Sequence, residues 1–225
     1  MGVTPEELAK LYPRLYHMAE LGSWESIRKY GLLSTSSLLT LFGINGAARR
    51  EIEACRRSKS YEIKDAEHGR AVIRDQKPIV ESKLKAALQD CTLEEWYVLL
   101  NSRVFFWLTR ERLEVLLSAR EYRNKPHTVL TLETLAIARG YQPSITLSPM
   151  NSGNTLPIAH PRGIATFSKM ADYPFEERLK RGPYYTVVEL AVEGGVPDVV
   201  NCTIRAETMV SNGDRVTIVD ALFAR

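Results

Sequence analysis

The sequence predicts an α+β fold in which helices flank a mixed or antiparallel β-sheet. Helical patterns with capping residues dominate the first half of the 225-residue chain, and strand-like patterns dominate the second half. The two kinds of element do not alternate regularly, as they do in proteins with a parallel sheet. No linker, internal repeat or low-complexity tract divides the sequence. We therefore expect a single domain over residues 1–225.

Capping residues predict where the helices begin. Thr4 and Thr92 are each followed three residues later by glutamate, which is the pattern of a capping box. Ser23 and Thr109 are the predicted N-caps of the helices WESIRKY and RERLEVLLSARE, and Gly31 ends the first of them. Two more segments, STSSLLTLFG and AARREIEACRR, have helical patterns. The first half of the chain is therefore mainly helical.

Alternating or continuous apolar runs predict the strands. In chain order they are RLYHMA, SYEIKD, RAVIRD, RVFFWL, HTVLTL, YYTVVELAV, NCTIRAETMV and DRVTIVD. A short helical piece follows HTVLTL. The 26 residues from Pro149 to Pro174 have neither a helical nor a strand-like pattern and are mostly polar. A loop of that length inside a compact domain is usually either functional or disordered.

The composition argues against several kinds of site. Cys55, Cys91 and Cys202 are few and far apart, which argues against a disulfide framework and against a zinc site. The four histidines have no ligand spacing, so we expect no bound metal. The net charge of +3 permits contact with nucleic acid without requiring it.

Localisation is predicted from the N-terminus and from the apolar runs. The opening MGVTPEELAK lacks the basic segment and the apolar run of a signal peptide. The apolar runs are only a few residues long, far shorter than a membrane-spanning helix. We expect a cytoplasmic protein that has no membrane partner.

The candidate site residues come from weak signals, because the sequence has no P-loop, no dinucleotide-binding glycine motif and no nucleophile elbow. Glu189 lies in an apolar strand, where a carboxylate is costly unless it has a partner or faces a cleft. The alternative is an edge-strand glutamate that faces solvent. His17 is either a ligand-binding residue or a core histidine. Ser34 and Thr35 either line a pocket or cap the next helix.

Polar and basic residues of the later segments are candidates for substrate contacts. In the irregular segment, Asn151 and Asn154 are candidates for holding a polar ligand, and Arg162 for meeting a phosphate. The alternative is a surface loop whose Asn and Gly residues form turns. Trp107 lies among several arginines, and cations beside aromatic rings suit a nucleic-acid strand. The alternative for the tryptophan is the core.

The order of these signals resembles the ADP-ribosyltransferase superfamily. An early Tyr-His strand, a short helix ending in Gly-Leu-Leu, an apolar strand and a glutamate on a later strand follow one another. More narrowly, the chain resembles the DarT type, bacterial toxins that use NAD to ADP-ribosylate single-stranded DNA. The resemblance extends from about Leu15 to Ile204. It is carried by LYHMAELGSWESIRKYGLLS, IEACRR, RVFFWLTRERLEVLL, HTVLTLETLAI, ITLSPMNSGNT and VVELAVEGGVPDVVNCTI.

The chain departs from the DarT pattern at three points. Met18-Ala19 stands where that family usually has Ile/Phe-Thr, and the spacing of the arginine pair in IEACRR from Ile52 is one residue longer. ITLSPMNSGNT lacks the histidine of the family's polar loop. The segments RDQKP, VFFW and NSGNT are similar to an uncharacterised bacterial family. The protein is therefore expected in a sister group whose substrate can differ.

The resemblance implies a split sheet of the ADP-ribosyltransferase type and NAD as co-substrate. Glu189 would bind the ribose 2′-hydroxyl, steady the developing oxocarbenium ion and take the acceptor's proton, which is positioning and electrostatic work. The implied NAD-binding residues are His17, Ser34, Thr35, Arg56 and Arg74, and the implied second catalytic residue is Arg57. The implied substrate-binding residues are Asn151, Asn154, Arg162 and Trp107.

The acceptor implied by the resemblance is a nucleic-acid base, with single-stranded DNA favoured over RNA. A DarT-like glycosyltransferase of this kind belongs to toxin–antitoxin or phage-defence systems and is paired with a macrodomain-type antitoxin. Two other functions stay open from the sequence. One is an RNA 2′-phosphotransferase-like enzyme on the same fold, and the other is a nucleic-acid binding module in which Glu189 is structural.

Overall fold

The computed structural model of the protein describes residues 2–225 and contains an eight-stranded sheet surrounded by helices. In these residues the strands are β1 (Arg14–Ala19), β2 (Leu32–Leu33), β3 (Tyr61–Asp65), β4 (Gly69–Ile73), β5 (Arg103–Trp107), β6 (His127–Glu133), β7 (Ile145–Ser148), β8 (Ser168–Lys169), β9 (Glu189–Glu193), β10 (Gly195–Val196), β11 (Thr203–Ser211) and β12 (Val216–Ala224). The α-helices are α1 (Pro5–Leu11), α2 (Trp24–Tyr30), α3 (Thr35–Leu41), α4 (Gly46–Glu53), α5 (Glu81–Ala87), α6 (Leu93–Asn101), α7 (Arg110–Ser118), α8 (Thr134–Gly140), α9 (Phe175–Leu179) and α10 (Pro183–Thr186). Short 3-10 helices cover Gln142–Ser144, Ile164–Thr166 and Val199–Cys202.

The large sheet has the strand order β12-β11-β6-β1-β5-β9-β7-β8, and its neighbouring strands are antiparallel. Two small antiparallel sheets, β10–β2 and β3–β4, accompany it. This architecture confirms the predicted α+β class with an antiparallel sheet flanked by helices. Within residues 2–225, no helix combines the length and the apolar character that crossing a membrane requires.

The sheet opens between β1 and β5. Strand β1 pairs with β6 along its whole length, from Arg14 to Ala19, but it pairs with β5 only where Tyr16 meets Trp107. Strand β5 instead pairs with β9 from one end to the other. The two central strands therefore diverge beyond one shared pair, and this divergence leaves room for side chains between them.

Two apolar clusters hold the sheet in place from opposite faces. One contains the inward residues Leu15, Phe106 and Leu190 with many others from α1, α2 and α8. The second lies beneath α7, whose Leu113 and Leu117 pack on the other face of the sheet. Alternation of side chains along each strand sends neighbouring residues into these two clusters. Burial of this apolar area fixes the strand register that the site depends on.

The helix caps that the sequence predicts are mostly present in the structure. Both capping boxes form: the Glu7 N–H donates to Thr4 Oγ1 at 3.2 Å, and Thr92 and Glu95 form the same pair. Ser34 caps α3 through a hydrogen bond from the Ser37 N–H. Ser23 precedes α2 as predicted, although its side chain makes no capping hydrogen bond.

Several segments differ from the sequence prediction. Helix α4 ends at Glu53 rather than continuing through the arginine pair, because Arg57 and Asn101 donate to the carbonyl oxygens at its end. Strand β9 begins only at Glu189. Gly182, with φ of +92°, and Pro183 turn the preceding residues into α10. Strand β7 and helix α5 were not predicted.

Candidate functional site

A cavity of about 790 Å³ lies against the divergence of β1 and β5 and is bounded by Glu189 of β9, by α7, by β4 and by the loop that follows β4. Its volume is within the range of about 300–1,000 Å³ that is typical of small-molecule and cofactor sites. Glu189, His17, Arg57 and Arg74 line this cavity together, although the first two are 172 positions apart in the chain. The sheet topology brings these residues to one place.

Glu189 is the first residue of β9 and is only 4% exposed. In the sheet it lies opposite Trp107 on one side and Ser148 on the other, so the three side chains share a face. Its Oε2 accepts a hydrogen bond of 3.0 Å from the Ser152 N–H. Among residues 2–225 no cation forms an ion pair with it.

Burial raises the pKa of Glu189 to about 7. The hydrogen bonds from Ser152 and the positive charges of Arg112 and Arg162 oppose this rise. The carboxyl group therefore changes its protonation state near neutral pH. A group of this kind can accept a proton or a hydroxyl hydrogen bond under ordinary conditions.

His17 lies where β1 and β5 diverge. Its Nδ1 is 2.8 Å from the carbonyl oxygen of Phe105, and a carbonyl oxygen can only accept, so Nδ1 carries the proton. Burial lowers the pKa of His17 to about 4, with a smaller effect from the Arg74 charge. At neutral pH the ring is therefore uncharged and Nε2 is a hydrogen-bond acceptor.

Arg57 is a buried cation at the edge of the cavity, with 5% of its surface exposed. Its guanidinium donates to Ile52 O at 2.6 Å, to Arg74 O at 2.9 Å and to Asn101 Oδ1 at 2.9 Å. Burial lowers its pKa to about 10, so it stays charged at neutral pH. Within the described chain it has no carboxylate in ion-pair contact, and a buried charge without a counterion favours an anionic ligand.

Three more of the predicted NAD-binding residues line the cavity: Arg74 directly after β4, Ser34 at the N-cap of α3, and Thr35, the first residue of α3. Arg74 donates to Met18 O at 3.2 Å, and its guanidinium lies 4.7 Å from the centre of the Tyr122 ring. The Ser34 hydroxyl is engaged with Ser37 in the cap of α3, which is the alternative that the sequence left open. Thr35 lines the cavity, and its hydroxyl makes no hydrogen bond to residues 2–225.

Arg56 and Arg162, which the resemblance implied as ligand-binding residues, do not line the cavity, and their guanidinium groups donate to backbone carbonyl oxygens instead. Arg56 donates to Ile79 O at 2.6 Å and does not line the cavity. Arg162 is 2% exposed, and its guanidinium donates to three backbone carbonyl oxygens. Only folding brings these carbonyl groups to the arginines, so the sequence spacing did not indicate the contacts.

The remaining predicted substrate-binding residues all lie at the cavity. Trp107 and Asn151 line it, and the Asn151 Oδ1 accepts from the Gly153 N–H at 3.1 Å. Asn154 also lines it, but both ends of its amide group hydrogen-bond to the backbone of Leu156. The structure therefore uses the Asn154 side chain to form a turn, as in the alternative weighed from the sequence.

Arg112, Tyr184 and Ser152 have roles that the sequence did not reveal. The Arg112 guanidinium lies 3.9 Å from the centre of the Tyr184 ring and donates to the Tyr184 carbonyl oxygen. Both side chains line the cavity. Arg112 lies on an amphipathic helix, where a solvent-facing role is the ordinary expectation. Tyr184 lies in a segment whose apolar pattern predicted a strand.

The charges around the cavity favour an anionic ligand. Six of the lining side chains are cationic and four are acidic. The cations are Arg57, Arg74, Lys77, Arg103, Arg112 and Arg120. Lys77 and Arg103 have carboxylate partners, whereas the other four have none within residues 2–225. A ligand with two or more phosphate groups would complement this wall.

Comparison with known proteins gives the family of the chain. No curated protein matches the sequence. A family described as "Family of unknown function (DUF7002)" matches residues 13–203. This span includes every cavity residue discussed above and ends at the first residue of β11. The chain therefore belongs to the DUF7002 family.

Proposed function

We propose that the protein is an NAD-dependent ADP-ribosyltransferase that modifies a nucleic-acid base. The observation that carries this proposal is the buried Glu189 carboxyl group, which opens on a large cationic cavity together with the uncharged His17. A buried carboxylate suits a reaction that develops positive charge on the ribose. The sheet that opens between β1 and β5 agrees with the split sheet of that superfamily.

In the proposed reaction the bond between ribose C1′ and the nicotinamide nitrogen breaks. Nicotinamide leaves with the bonding electron pair, the acceptor forms the new bond to C1′, and one proton is released from the acceptor. Glu189 in its ionised form would accept a hydrogen bond from the 2′-hydroxyl and stabilise the charge on the ribose. The same carboxylate would take up the acceptor's proton.

His17 and Arg57 would hold the two ends of the dinucleotide. The uncharged His17 presents Nε2 as an acceptor for a ribose hydroxyl or for the amide N–H of nicotinamide. Arg57 and Arg74, which have no carboxylate partner within residues 2–225, would meet the pyrophosphate. Because Arg57 is held by three protein acceptors, its position would be fixed before the ligand arrives.

The wall formed by α7 and α10 supports a nucleic-acid acceptor. Arg112, Val115, Arg120 and Tyr184 line the cavity there, and Val115 and Tyr184 are 67% and 39% exposed. Aromatic and apolar surface beside arginine suits a base that stacks while its phosphates meet cations. Single-stranded nucleic acid is favoured, because a paired base would first have to leave its duplex.

Mass spectrometry tests the proposal. The purified protein is incubated with NAD and, in separate reactions, with single-stranded DNA, RNA and bulk protein. We expect one ADP-ribose unit to be added to a nucleic acid, with release of nicotinamide. The matched control is Glu189→Gln, which keeps the shape of the side chain and cannot ionise. If only protein is modified, the acceptor is a protein and the nucleic-acid part of the proposal is wrong. Transfer of a 2′-phosphate from RNA would favour the RNA 2′-phosphotransferase alternative.

We further propose that the protein is a toxin whose effect is suppressed by an antitoxin. Expression of the wild-type chain in bacteria should slow growth, and Glu189→Gln should relieve the effect. Co-expression of a macrodomain-type ADP-ribosyl hydrolase should also relieve it. If bacteria that express the wild-type protein and bacteria that express Glu189→Gln at the same level grow equally well, the protein is not a toxin.

A further inference from the structure

The segment of residues 149–163 connects the catalytic candidate Glu189 with the loop before α5, and we call it the strap. Near its start, the Ser152 N–H donates to Glu189 Oε2 at 3.0 Å. Farther along, Thr155 binds the loop before α5: its N–H donates to Pro78 O at 3.2 Å, and its Oγ1 accepts from the Val80 N–H at 2.7 Å. Ser152 and Thr155 are both fully buried, so the strap is part of the packed structure.

Arg162 holds the two halves of the strap together. Its Nη1 donates to Ser152 O at 3.0 Å and to Asn154 O at 2.9 Å, and its Nε donates to His160 O at 3.0 Å. The planar guanidinium thus fixes three carbonyl oxygens at once, which a lysine ammonium on a flexible stem does less well. One of these carbonyl groups belongs to the residue whose N–H binds Glu189.

The backbone of Arg162 is anchored independently of Glu189. Its N–H donates to Ala87 O at 2.9 Å, and its carbonyl oxygen accepts from the Gln89 N–H at 3.1 Å. At Gly163 a β-carbon would lie within 1.7 Å of Asp90 Oδ1, so only glycine allows this close approach. Asp90 in turn accepts from the Ile164 N–H at 2.7 Å. The guanidinium therefore extends from a fixed base.

We propose that Arg162 is a positioning residue, which fixes the Ser152 N–H on Glu189 Oε2 and so sets the orientation and charge of the carboxyl group in the cavity. The role of that carboxyl group in a reaction rests on the proposed function, whereas the contact chain from Arg162 to Glu189 does not. Arg162 would act through Ser152, because it forms no ion pair with Glu189 within the described residues.

The charged groups around Glu189 determine what loss of Arg162 should do. Arg112 approaches from α7 and Arg162 from the strap, and the charges of both favour the ionised carboxylate. His17 faces the same cavity from β1 and is uncharged at neutral pH. Burial alone opposes ionisation. Removing the arginine would weaken the Ser152 hydrogen bond and remove one charge, and both changes raise the pKa of Glu189.

Nuclear magnetic resonance tests the proposal without requiring any activity. The wild-type protein, Arg162→Met and Arg162→Lys are labelled with ¹³C at the glutamate carboxyl groups and with ¹⁵N at the amides, and Glu189→Gln assigns the Glu189 signal. In the wild-type protein, the Ser152 amide shift should follow the titration of Glu189. In Arg162→Met the pKa of Glu189 should rise by about one unit and this correlation should weaken. Arg162→Lys keeps the positive charge but loses the planar guanidinium. A weaker correlation between the Ser152 amide shift and the Glu189 titration in this variant would show that the guanidinium hydrogen bonds position Ser152.

The control is Arg225→Lys, which changes an arginine that donates to Asn201 O at 2.8 Å, far from β9. It should leave both signals unchanged. Unaltered Glu189 and Ser152 titrations in both Arg162 variants would overturn the proposal. Failure of both variants to fold would assign Arg162 to stability alone and would also overturn it. If the wild-type protein lacks NAD-cleaving activity while the titrations change as expected, the proposed function fails and the positioning role stands.

Discussion

His17 and Glu189 line one cavity from two strands, β1 and β9, although β5 lies between those strands in the sheet. The single residue pair between β1 and β5 explains this geometry, because the strands diverge where His17 binds Phe105 O. An uncharged imidazole and a carboxyl group that titrates near neutral pH thus face a common space.

Replacing Glu189 with glutamine should stabilise the fold in a pH-dependent way. The pKa of Glu189 is raised from its ordinary value of 4.5 to about 7, so the folded state binds a proton more tightly than the unfolded state. The free energy of unfolding of the wild-type protein should therefore fall as the pH rises from about 4.5 to about 7. Glu189→Gln should escape this loss, and its advantage at pH 8 should reach up to about 3 kcal/mol.

Urea unfolding of both proteins at several pH values measures this effect. The difference between them should be smallest at acidic pH, where the wild-type carboxyl group is protonated in both states. A difference that stays constant across the pH range would show that Glu189 is not the titrating group.

Cleavage of NAD should depend on the ionised form of Glu189. The rate should rise with pH and reach half of its maximum near the pKa of that group, about 7. His17, with its pKa lowered to about 4, should contribute no change in this range. Nicotinamide release measured in buffers of constant ionic strength checks the profile. A rate that is unchanged down to pH 5 would exclude Glu189 as the base.

Replacing His17 with phenylalanine should weaken NAD binding by about tenfold, which is the effect of losing one hydrogen bond of about 1.4 kcal/mol. The aromatic ring would keep the packing against Phe106, whose ring centre is 5.7 Å away. Calorimetric titration with NAD measures the affinity. The control is His160→Phe, which changes a side chain exposed on the strap. Equal affinities in the two variants would argue against a ligand contact by His17.

Replacing Arg57 with lysine should destabilise the fold by about 1–3 kcal/mol, because Ile52 O, Arg74 O and Asn101 Oδ1 would compete for fewer donors. Denaturant unfolding measures the change. Arg50→Lys serves as the control, since Arg50 forms only an exposed ion pair with Glu94. That substitution should stay within about 0.5 kcal/mol of the wild type. Equal stability of the two variants would contradict the scaffold role of Arg57.

Replacing Tyr184 with alanine should raise the KM for a single-stranded nucleic acid by about tenfold, because a stacked base contributes about 1–3 kcal/mol. Cleavage of NAD in the absence of an acceptor should remain unchanged. Tyr185→Ala is the matched control, because Tyr185 is the more exposed neighbour and does not line the cavity. Steady-state kinetics with an oligonucleotide distinguish the two. If both substitutions change the KM equally, the nucleic acid does not bind at Tyr184.

The local elements could be predicted because their causes lie within a few residues. The capping boxes at Thr4 and Thr92 each involve a partner three residues away, and the apolar runs of β5 and β6 are continuous in the sequence. Strand β9 was predicted too long at its start, because the turn at Gly182 and Pro183 depends on how the chain meets the sheet. Short elements such as β7 carry too few residues for a clear pattern.

The candidate site could be predicted only in part. The positions of His17, Arg57 and Glu189 followed from a resemblance, and all three line the cavity. The scaffold role of Arg162 could not be predicted, because it depends on carbonyl oxygens up to ten residues away that folding turns towards it. The hydrogen bond from Ser152 to Glu189 joins residues 37 positions apart. No pattern of spacing indicates such a pair.

We propose that the Glu189 carboxylate drives cleavage of NAD in this cavity, and nicotinamide release by two proteins at one pH is the test. Nicotinamide release from NAD is measured at pH 8 with the wild-type protein and with Glu189→Gln, in the presence of single-stranded DNA. We predict release by the wild-type protein and a loss of at least about a hundredfold in the folded variant. Equal rates in the two proteins, or no release by the wild-type protein with any acceptor, would contradict the claim.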